Sequence, residues 1–112
     1  MTAKADDPVM VLTTAASADE LARLGRAVVE ERLAACVTVV PTARSIYRWK
    51  GVVEEAQEAL GIIKTTRGRY PALEARWMEL HSYEVPELLV VPVETGLPAY
   101  LSWLVACTEQ VA

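Results

Sequence analysis

The fold is decided by residues 35–66, which read ACVTVVPTARSIYRWKGVVEEAQEALGIIKTT. Two runs rich in β-branched and apolar residues flank Lys50-Gly51, a pair typical of a tight turn, so the stretch predicts a β-hairpin. Arms of about 14 residues would reach roughly 45 Å, whereas a globule of this size has a radius of gyration of about 13 Å. We therefore expect the distal half of the hairpin to project beyond its own core.

A projecting two-stranded ribbon is marginal in water and leaves strand edges open to pairing. The nearest partner for such a ribbon is another copy of the same chain. The distal half carries Tyr47 and Trp49, and these residue types dominate protein interfaces. The sequence thus predicts an oligomer held by pairing between neighbouring hairpins, with Tyr47 and Trp49 buried at the interface.

Composition sets limits on the partners and the location of the chain. Its 112 residues are 53% hydrophobic and 23% charged, which is typical of one globular domain. The net charge of −4 disfavours a nucleic-acid partner. No apolar run is long enough for a membrane span, and the acidic N-terminus is unlike a signal peptide. We expect a cytosolic protein with a flexible tail over residues 1–7 and a single domain over residues 8–112.

The remaining patterns alternate between strands and helices. Ser17 and Glu20 have the spacing of a capping box, in which each side chain bonds the other residue's backbone N–H. Pro41 removes a ladder donor and predicts a bulge near residues 41–43, which Gly61 would face. The expected elements, in order, are strand Val9–Leu12, a helix after Ser17, the hairpin, a helix beginning near Pro71, strand 87–93 and a helix after Pro98.

This order, strand-helix-strand-strand-helix-strand with a C-terminal helix, predicts a ferredoxin-like α+β sandwich. Two right-handed crossovers would place both main helices on one face of the sheet.

A set of sequence blocks spans nearly the whole domain at consistent spacing: Glu31–Val37, Pro41, Ser45–Gly51, Glu58, Lys64–Thr66, His81–Glu87 and Tyr100–Trp103. In these blocks the chain resembles the CutA family of divalent-cation-tolerance proteins. The resemblance implies a homotrimer of ferredoxin-like subunits, similar in architecture to the PII signalling proteins, and a role in tolerance of copper and other divalent metals. It implies no settled catalytic activity, so we expect a protein that is not an enzyme.

His81 is the only histidine, so an imidazole metal site within one subunit must begin there. Our metal hypothesis is that His81 and Glu84 bind Cu²⁺ or another divalent cation. The alternative is a histidine that caps the end of a helix. Some family members proposed to bind copper carry a Cys and a second His where this chain has Thr13 and Leu80, which weakens the metal hypothesis.

A second group could form a polar cleft at a subunit boundary. In this hypothesis Lys64, Tyr83 and Glu58 meet a small anionic ligand near the interface aromatics. The alternative is that Lys64 simply pairs with Glu58 or a neighbouring carboxylate. Glu54, Glu55 and Glu58 could attract cations. Glu54 and Glu58 share strand parity, whereas Glu55 points the other way, and we expect the three to form a solvated face that protects the ribbon edge rather than a cation site.

Two other classes with the same element order do not match. An acylphosphatase-like enzyme uses an Arg with an Asn, and this chain has no Asn. An RNA-binding module stacks bases on aromatic residues of its central strands, but these strands have none. The alternative function that stays open is a PII-like signalling or scaffold trimer that binds a metabolite or a partner protein at its clefts.

Overall fold

The structure is a computed structural model that describes residues 3–110. Its elements follow the predicted order, and the boundaries of the first and the last strand differ from the prediction by a few residues. They are β1 Pro8–Ala15, α1 Ala18–Glu30, β2 Cys36–Trp49, β3 Val52–Thr66, α2 Tyr70–Leu80, β4 Leu89–Pro92 and α3 Pro98–Cys107.

The four strands form one antiparallel sheet in the order β2-β3-β1-β4. This order, with the helices joining β1 to β2 and β3 to β4, is the predicted ferredoxin-like arrangement, so the α+β fold is confirmed. Strand β1 is longer than predicted because Thr13, Thr14 and Ala15 continue to pair with β3. Strand β4 is shorter than predicted and pairs with β1 from Leu89 to Pro92.

Both main helices pack on one face of the sheet. Every second residue of β1, and of β3 from Ala59 onward, points into this layer, and α1 and α2 cover it with one apolar stripe each, as the periodicity predicts. The fully or almost fully buried members of this core are Val9, Val11, Ala15, Leu21, Leu24, Val28, Ala34, Ala59, Ile63, Leu73 and Trp77.

The long hairpin is present, and its distal part lies beyond the helical layer. Lys50 and Gly51 both have positive φ, at 50° and 82°, as a two-residue turn with the right twist requires. The predicted bulge is confirmed as a shift of register between Val40 and Ala43. The molecule measures 44 Å along its longest axis. We call residues 43–58, beyond the bulge, the ribbon.

Gly61 has a different role from the one predicted. It lies opposite Val39 rather than at the bulge. A Cβ on Gly61 would come 2.7 Å from Thr13 Cγ2 and 3.1 Å from both methyl groups of Leu21. A glycine is therefore needed here because α1 packs directly onto the backbone of β3.

Half of the predicted capping box is formed. Ser17 caps α1, because its hydroxyl accepts a 3.1 Å hydrogen bond from the backbone N–H of Glu20. The Glu20 carboxylate instead accepts a 3.2 Å bond from the backbone N–H of Ser82. The start of α1 is thus tied to the loop that follows α2, a long-range contact that a local motif does not reveal.

The predicted N-terminal tail falls partly outside the described residues, since Met1 and Thr2 are not among them. From Lys4 to Asp7 the chain makes a hydrogen-bonded turn. The carbonyls of Ala5 and Asp7 accept hydrogen bonds from the backbone N–H groups of Gly68 and Arg67. This turn therefore lies against the connection between β3 and α2.

Candidate functional site

A cleft of about 710 Å³ lies between the ribbon and the loop after α2. Strands β2 and β3 supply one wall, and residues 82–87 supply the other. We call it the ribbon cleft. It is lined by Thr14, Ser45, Ile46, Tyr47, Trp49, Glu54, Glu58, Ser82, Tyr83, Glu84, Val85 and Glu87. Its size suits a small-molecule ligand.

The centre of the ribbon cleft is a hydrogen-bonded pair. The Tyr83 hydroxyl donates a 2.6 Å hydrogen bond to Glu58 Oε2. Glu58 is only 8% exposed, which corrects the expectation that it belongs to a solvated face. Burial of the phenol, together with the hydrogen bond and negative charge of Glu58, raises the pKa of Tyr83 well above its usual value. Tyr83 is therefore a neutral hydrogen-bond donor at physiological pH.

His81 forms hydrogen bonds that fix the position of the loop after α2. Its Nδ1 accepts a 3.0 Å hydrogen bond from the backbone N–H of Tyr83, and its Nε2 lies 2.8 Å from the carbonyl oxygen of Thr14. These partners require a neutral ring with the proton on Nε2, which donates to Thr14. The ring is 8% exposed and its centroid lies 4.7 Å from that of Tyr83. His81 thus links the loop to the end of β1 and supports Tyr83.

This geometry does not fit a transition-metal site at His81. Both ring nitrogens are engaged, so binding a metal would break one of the two hydrogen bonds. Glu84 is exposed at the mouth of the ribbon cleft, and Thr13 points into the core. Within residues 3–110, no three His, Cys, Asp or Glu side chains are grouped closely enough to hold a metal ion.

Lys64 is not part of the ribbon cleft. Its ammonium group donates a 2.6 Å hydrogen bond to Thr38 Oγ1 and lies 3.8 Å from Cys36 Sγ. Six residues of extended β3 separate it from Glu58, a distance of roughly 20 Å. Within one chain the structure therefore brings Tyr47, Glu58 and Tyr83 together, places Trp49 farther along the same cleft and leaves Lys64 apart, so Lys64 does not pair with Glu58.

The ribbon cleft is acidic. Four glutamates line it, Glu54, Glu58, Glu84 and Glu87, and within the described chain no Lys, Arg or His joins them. Desolvation, with the charges of Glu54 and then Glu58, raises the pKa of Tyr47. Because like charges repel, this cleft disfavours the small anionic ligand of the cleft hypothesis.

The sequence analysis did not identify Glu20 as a residue that supports the site. Burial alone would raise the pKa of Glu20, but hydrogen bonds from Ser82 outweigh it and hold that pKa below its usual value. Glu20 is therefore ionised and fixes the loop that carries Tyr83. The acidic wall of the ribbon cleft had one signal in the sequence. Glu54 and Glu58 share strand parity, so their side chains lie on the same face of β3.

Comparison with known proteins identifies the family. The family model described as CutA1 divalent ion tolerance protein matches residues 9–107. The chain belongs to the CutA1 family. A relative from Thermus thermophilus, a divalent-cation tolerance protein CutA, is 47% identical over 95 residues, which cover 85% of this chain and 92% of the relative.

Further relatives agree with this assignment. The CutA structure from Xylella fastidiosa superposes with a TM-score of 0.89 at 39% identity, covering 92% of this chain and 99% of that one. The mouse protein CutA is 49% identical over 80% of this chain, but the match spans only 50% of the mouse sequence. No helix within residues 3–110 has both the length and the apolar composition needed to cross a membrane.

Proposed function

We propose that this protein acts in the tolerance of divalent cations as a cytosolic homotrimer, through binding rather than catalysis. The observation that carries the proposal is the match to the CutA1 family over residues 9–107, together with relatives named for divalent-cation tolerance. In this proposal the ribbon serves assembly and the ribbon cleft serves binding.

The exposed apolar surface of a single chain supports the proposal of a trimer. Tyr47 and Trp49 are 39% and 37% exposed, and the neighbouring apolar side chains Ile46, Val52 and Val53 are more exposed still. Concentrated apolar surface of this kind marks an interface. Strand β4, all of whose residues are exposed, adds a free edge. Because the ribbon lies beside the ribbon cleft, assembly would place this cleft at a subunit boundary.

Growth in copper tests the function directly. A bacterium that lacks its own CutA protein should regain growth in elevated copper when it expresses this chain. The Tyr47→Ala/Trp49→Ala variant, expressed at the same level, should fail to restore growth because it no longer assembles. No restoration by a well-expressed, trimeric wild-type protein would contradict the proposal.

Direct binding of Cu²⁺ at His81 and Glu84 has a cost in this structure, because it breaks a hydrogen bond of a buried histidine. We therefore expect Cu²⁺ to bind weakly, through exposed carboxylates such as Glu84, without a contribution from His81. Calorimetric titration of wild type and His81→Ala with Cu²⁺ should give equal heats, whereas Glu84→Gln should lower them. Loss of the heat in His81→Ala, with the fold intact by circular dichroism, would restore the histidine as a ligand.

The second candidate function is a PII-like signalling or scaffold trimer. The observation that favours it is the ribbon cleft itself, whose volume suits a metabolite. The two functions predict different experimental results. Metal tolerance predicts improved growth in copper, whereas a signalling role predicts a ligand bound in the ribbon cleft.

A further inference from the structure

The loop over residues 82–87 is held in place by titratable side chains. Within residues 3–110 its backbone forms no hydrogen bond with another backbone group. Glu20 accepts from the Ser82 amide at 3.2 Å, and His81 Nδ1 accepts from the Tyr83 amide at 3.0 Å. Glu58 accepts from the Tyr83 hydroxyl at 2.6 Å. The position of this wall of the ribbon cleft therefore depends on the protonation of the groups that hold it.

The hydrogen bond between His81 and the Tyr83 amide is the one that mild acid breaks. Nδ1 accepts this bond while Nε2 donates to the Thr14 carbonyl. A protonated imidazole carries an N–H on both nitrogens and accepts no hydrogen bond. Proton uptake and the bond to Tyr83 therefore exclude one another, whereas the bond to Thr14 survives. Imidazoles change charge between about pH 5 and pH 8, above the range in which ordinary carboxylates titrate.

Glu20 supplies a counter-charge for a protonated His81. The ring is 8% exposed, and a buried charge needs an opposite charge nearby. The Glu20 carboxylate, at the start of α1, is close enough to interact with a charged ring. Because the pKa of Glu20 lies below its usual value, it stays ionised and keeps its bond to Ser82 in mild acid. Acidification thus acts on the Tyr83 bond alone among the two amide bonds of the loop.

The other elements around His81 bring no free charge against its ring. Strand β1 contains no charged residue, and α2 contributes the uncharged Trp77, whose ring centroid lies 6.2 Å from that of His81. The other charged groups of α1, α2, β3 and the loop near this point are paired or exposed: Glu58 with Tyr83, Arg76 with Glu79, and the exposed Asp19, Glu84 and Glu87.

We propose that the 82–87 loop is a pH-sensitive latch on the ribbon cleft, closed while His81 is neutral and released when its ring takes up a proton. Release frees the Tyr83 amide and loosens the wall of the cleft that covers Glu58. The latch goes beyond the proposed function and does not depend on it, because it concerns access to the cleft rather than tolerance of metals.

NMR on the full chain tests the latch. Because the chain has a single histidine, its ring signals need no assignment. The ring ¹⁵N shifts and the backbone amide signals are followed from about pH 8 to pH 5, with EDTA present to keep metal ions off the ring. We expect the tautomer protonated on Nε2 at the alkaline end. On acidification the Tyr83 amide should shift with the same midpoint as the ring.

The Gly68 amide is the internal control. It donates to the backbone carbonyl of Ala5, which does not titrate, so its signal should not change. Hydrogen exchange gives a second readout of the same event. After correction for the intrinsic effect of pH, exchange of the Tyr83 amide should become about tenfold faster on acidification, since the lost bond no longer protects it. Exchange of the Gly68 amide should keep its protection.

His81→Asn separates titration from structure. An Asn side-chain oxygen accepts from the amide two residues on, which is the separation between His81 and Tyr83, and it does not titrate. The Tyr83 amide signal should therefore stay constant over the whole pH range in this variant. Glu55→Gln is the matched control for a change on the protein surface, since Glu55 is exposed on the ribbon. It should respond to pH as the wild type does.

A Tyr83 amide that stays unchanged while the ring titrates would overturn the latch. A ring that takes up no proton by about pH 5 would overturn it too. The same pH response in folded His81→Asn would assign the effect to a carboxylate, again against the proposal. If that variant does not fold, the two midpoints in the wild type decide alone. None of these signals reports on growth in copper, so the latch can fail while the proposed function stands.

Discussion

Replacing Tyr47 and Trp49 together with alanine should split the assembly into smaller species at micromolar concentration. Both side chains lie on the ribbon and are exposed in a single chain, so a folded subunit gains little from them by itself. Buried at the centre of an interface, each contributes about 2 kcal/mol or more. Light scattering coupled to size-exclusion chromatography should therefore show a fall in mass for the double variant.

The matched control is Val29→Ala with Met78→Ala. It also truncates two exposed apolar side chains, but these lie on α1 and α2, on the helical side of the sheet. This variant should keep the wild-type mass. A double ribbon variant that stays fully assembled and unfolds at the wild-type temperature would contradict the role given to the ribbon aromatics.

Substituting Gly61 with alanine should destabilise the subunit by about 1–3 kcal/mol, as overpacking of a dense core does. The new methyl group would lie 2.7 Å from Thr13 Cγ2 and 3.1 Å from the Leu21 methyls. Relief of this clash requires α1 to move away from the sheet. Chemical denaturation of Gly61→Ala at the same protein concentration as wild type measures the loss.

Thr13→Ser provides a direct check on the cause. It removes the methyl group that lies closest to the new side chain and retains the hydroxyl. In a double-mutant cycle, Gly61→Ala should cost less in the Thr13→Ser background than in wild type. Partial recovery is expected because the contact with Leu21 persists. Strictly additive effects would show that Thr13 is not the obstacle.

Much of the fold could be predicted because its signals are local. The Lys50-Gly51 turn and the alternation around it define the hairpin, and Pro41 marks the bulge, since a residue without an amide proton cannot continue the ladder. The apolar stripes of α1 and α2 identify the helical layer. The strand order then follows from the handedness of the two crossovers.

The candidate site was harder to predict because tertiary contacts determine it. Strand parity places Glu58 on one face of β3 but does not reveal that Tyr83 covers it there. Likewise, the sequence alone does not determine the tautomer of His81. The tautomer is determined by the hydrogen bonds of the ring to the Thr14 carbonyl and the Tyr83 amide. Lys64 and Glu58 lie on the same strand, but six extended residues separate them, so within one chain Lys64 meets Thr38 instead of Glu58.

The same reasoning explains Glu20. Its spacing from Ser17 favours a local capping box, yet the Ser82 amide competes for the carboxylate and forms the bond instead. A helix cap stabilises a helix by about 1 kcal/mol. One tertiary hydrogen bond to a charged group can offset this contribution.

Sedimentation equilibrium of the wild-type protein at micromolar concentration tests most directly whether sister chains complete the ribbon. The predicted result is a single species of three times the 12.3 kDa subunit mass. A stably folded 12.3 kDa species under the same conditions would contradict it, because the apolar ribbon would then be stable in water without a partner.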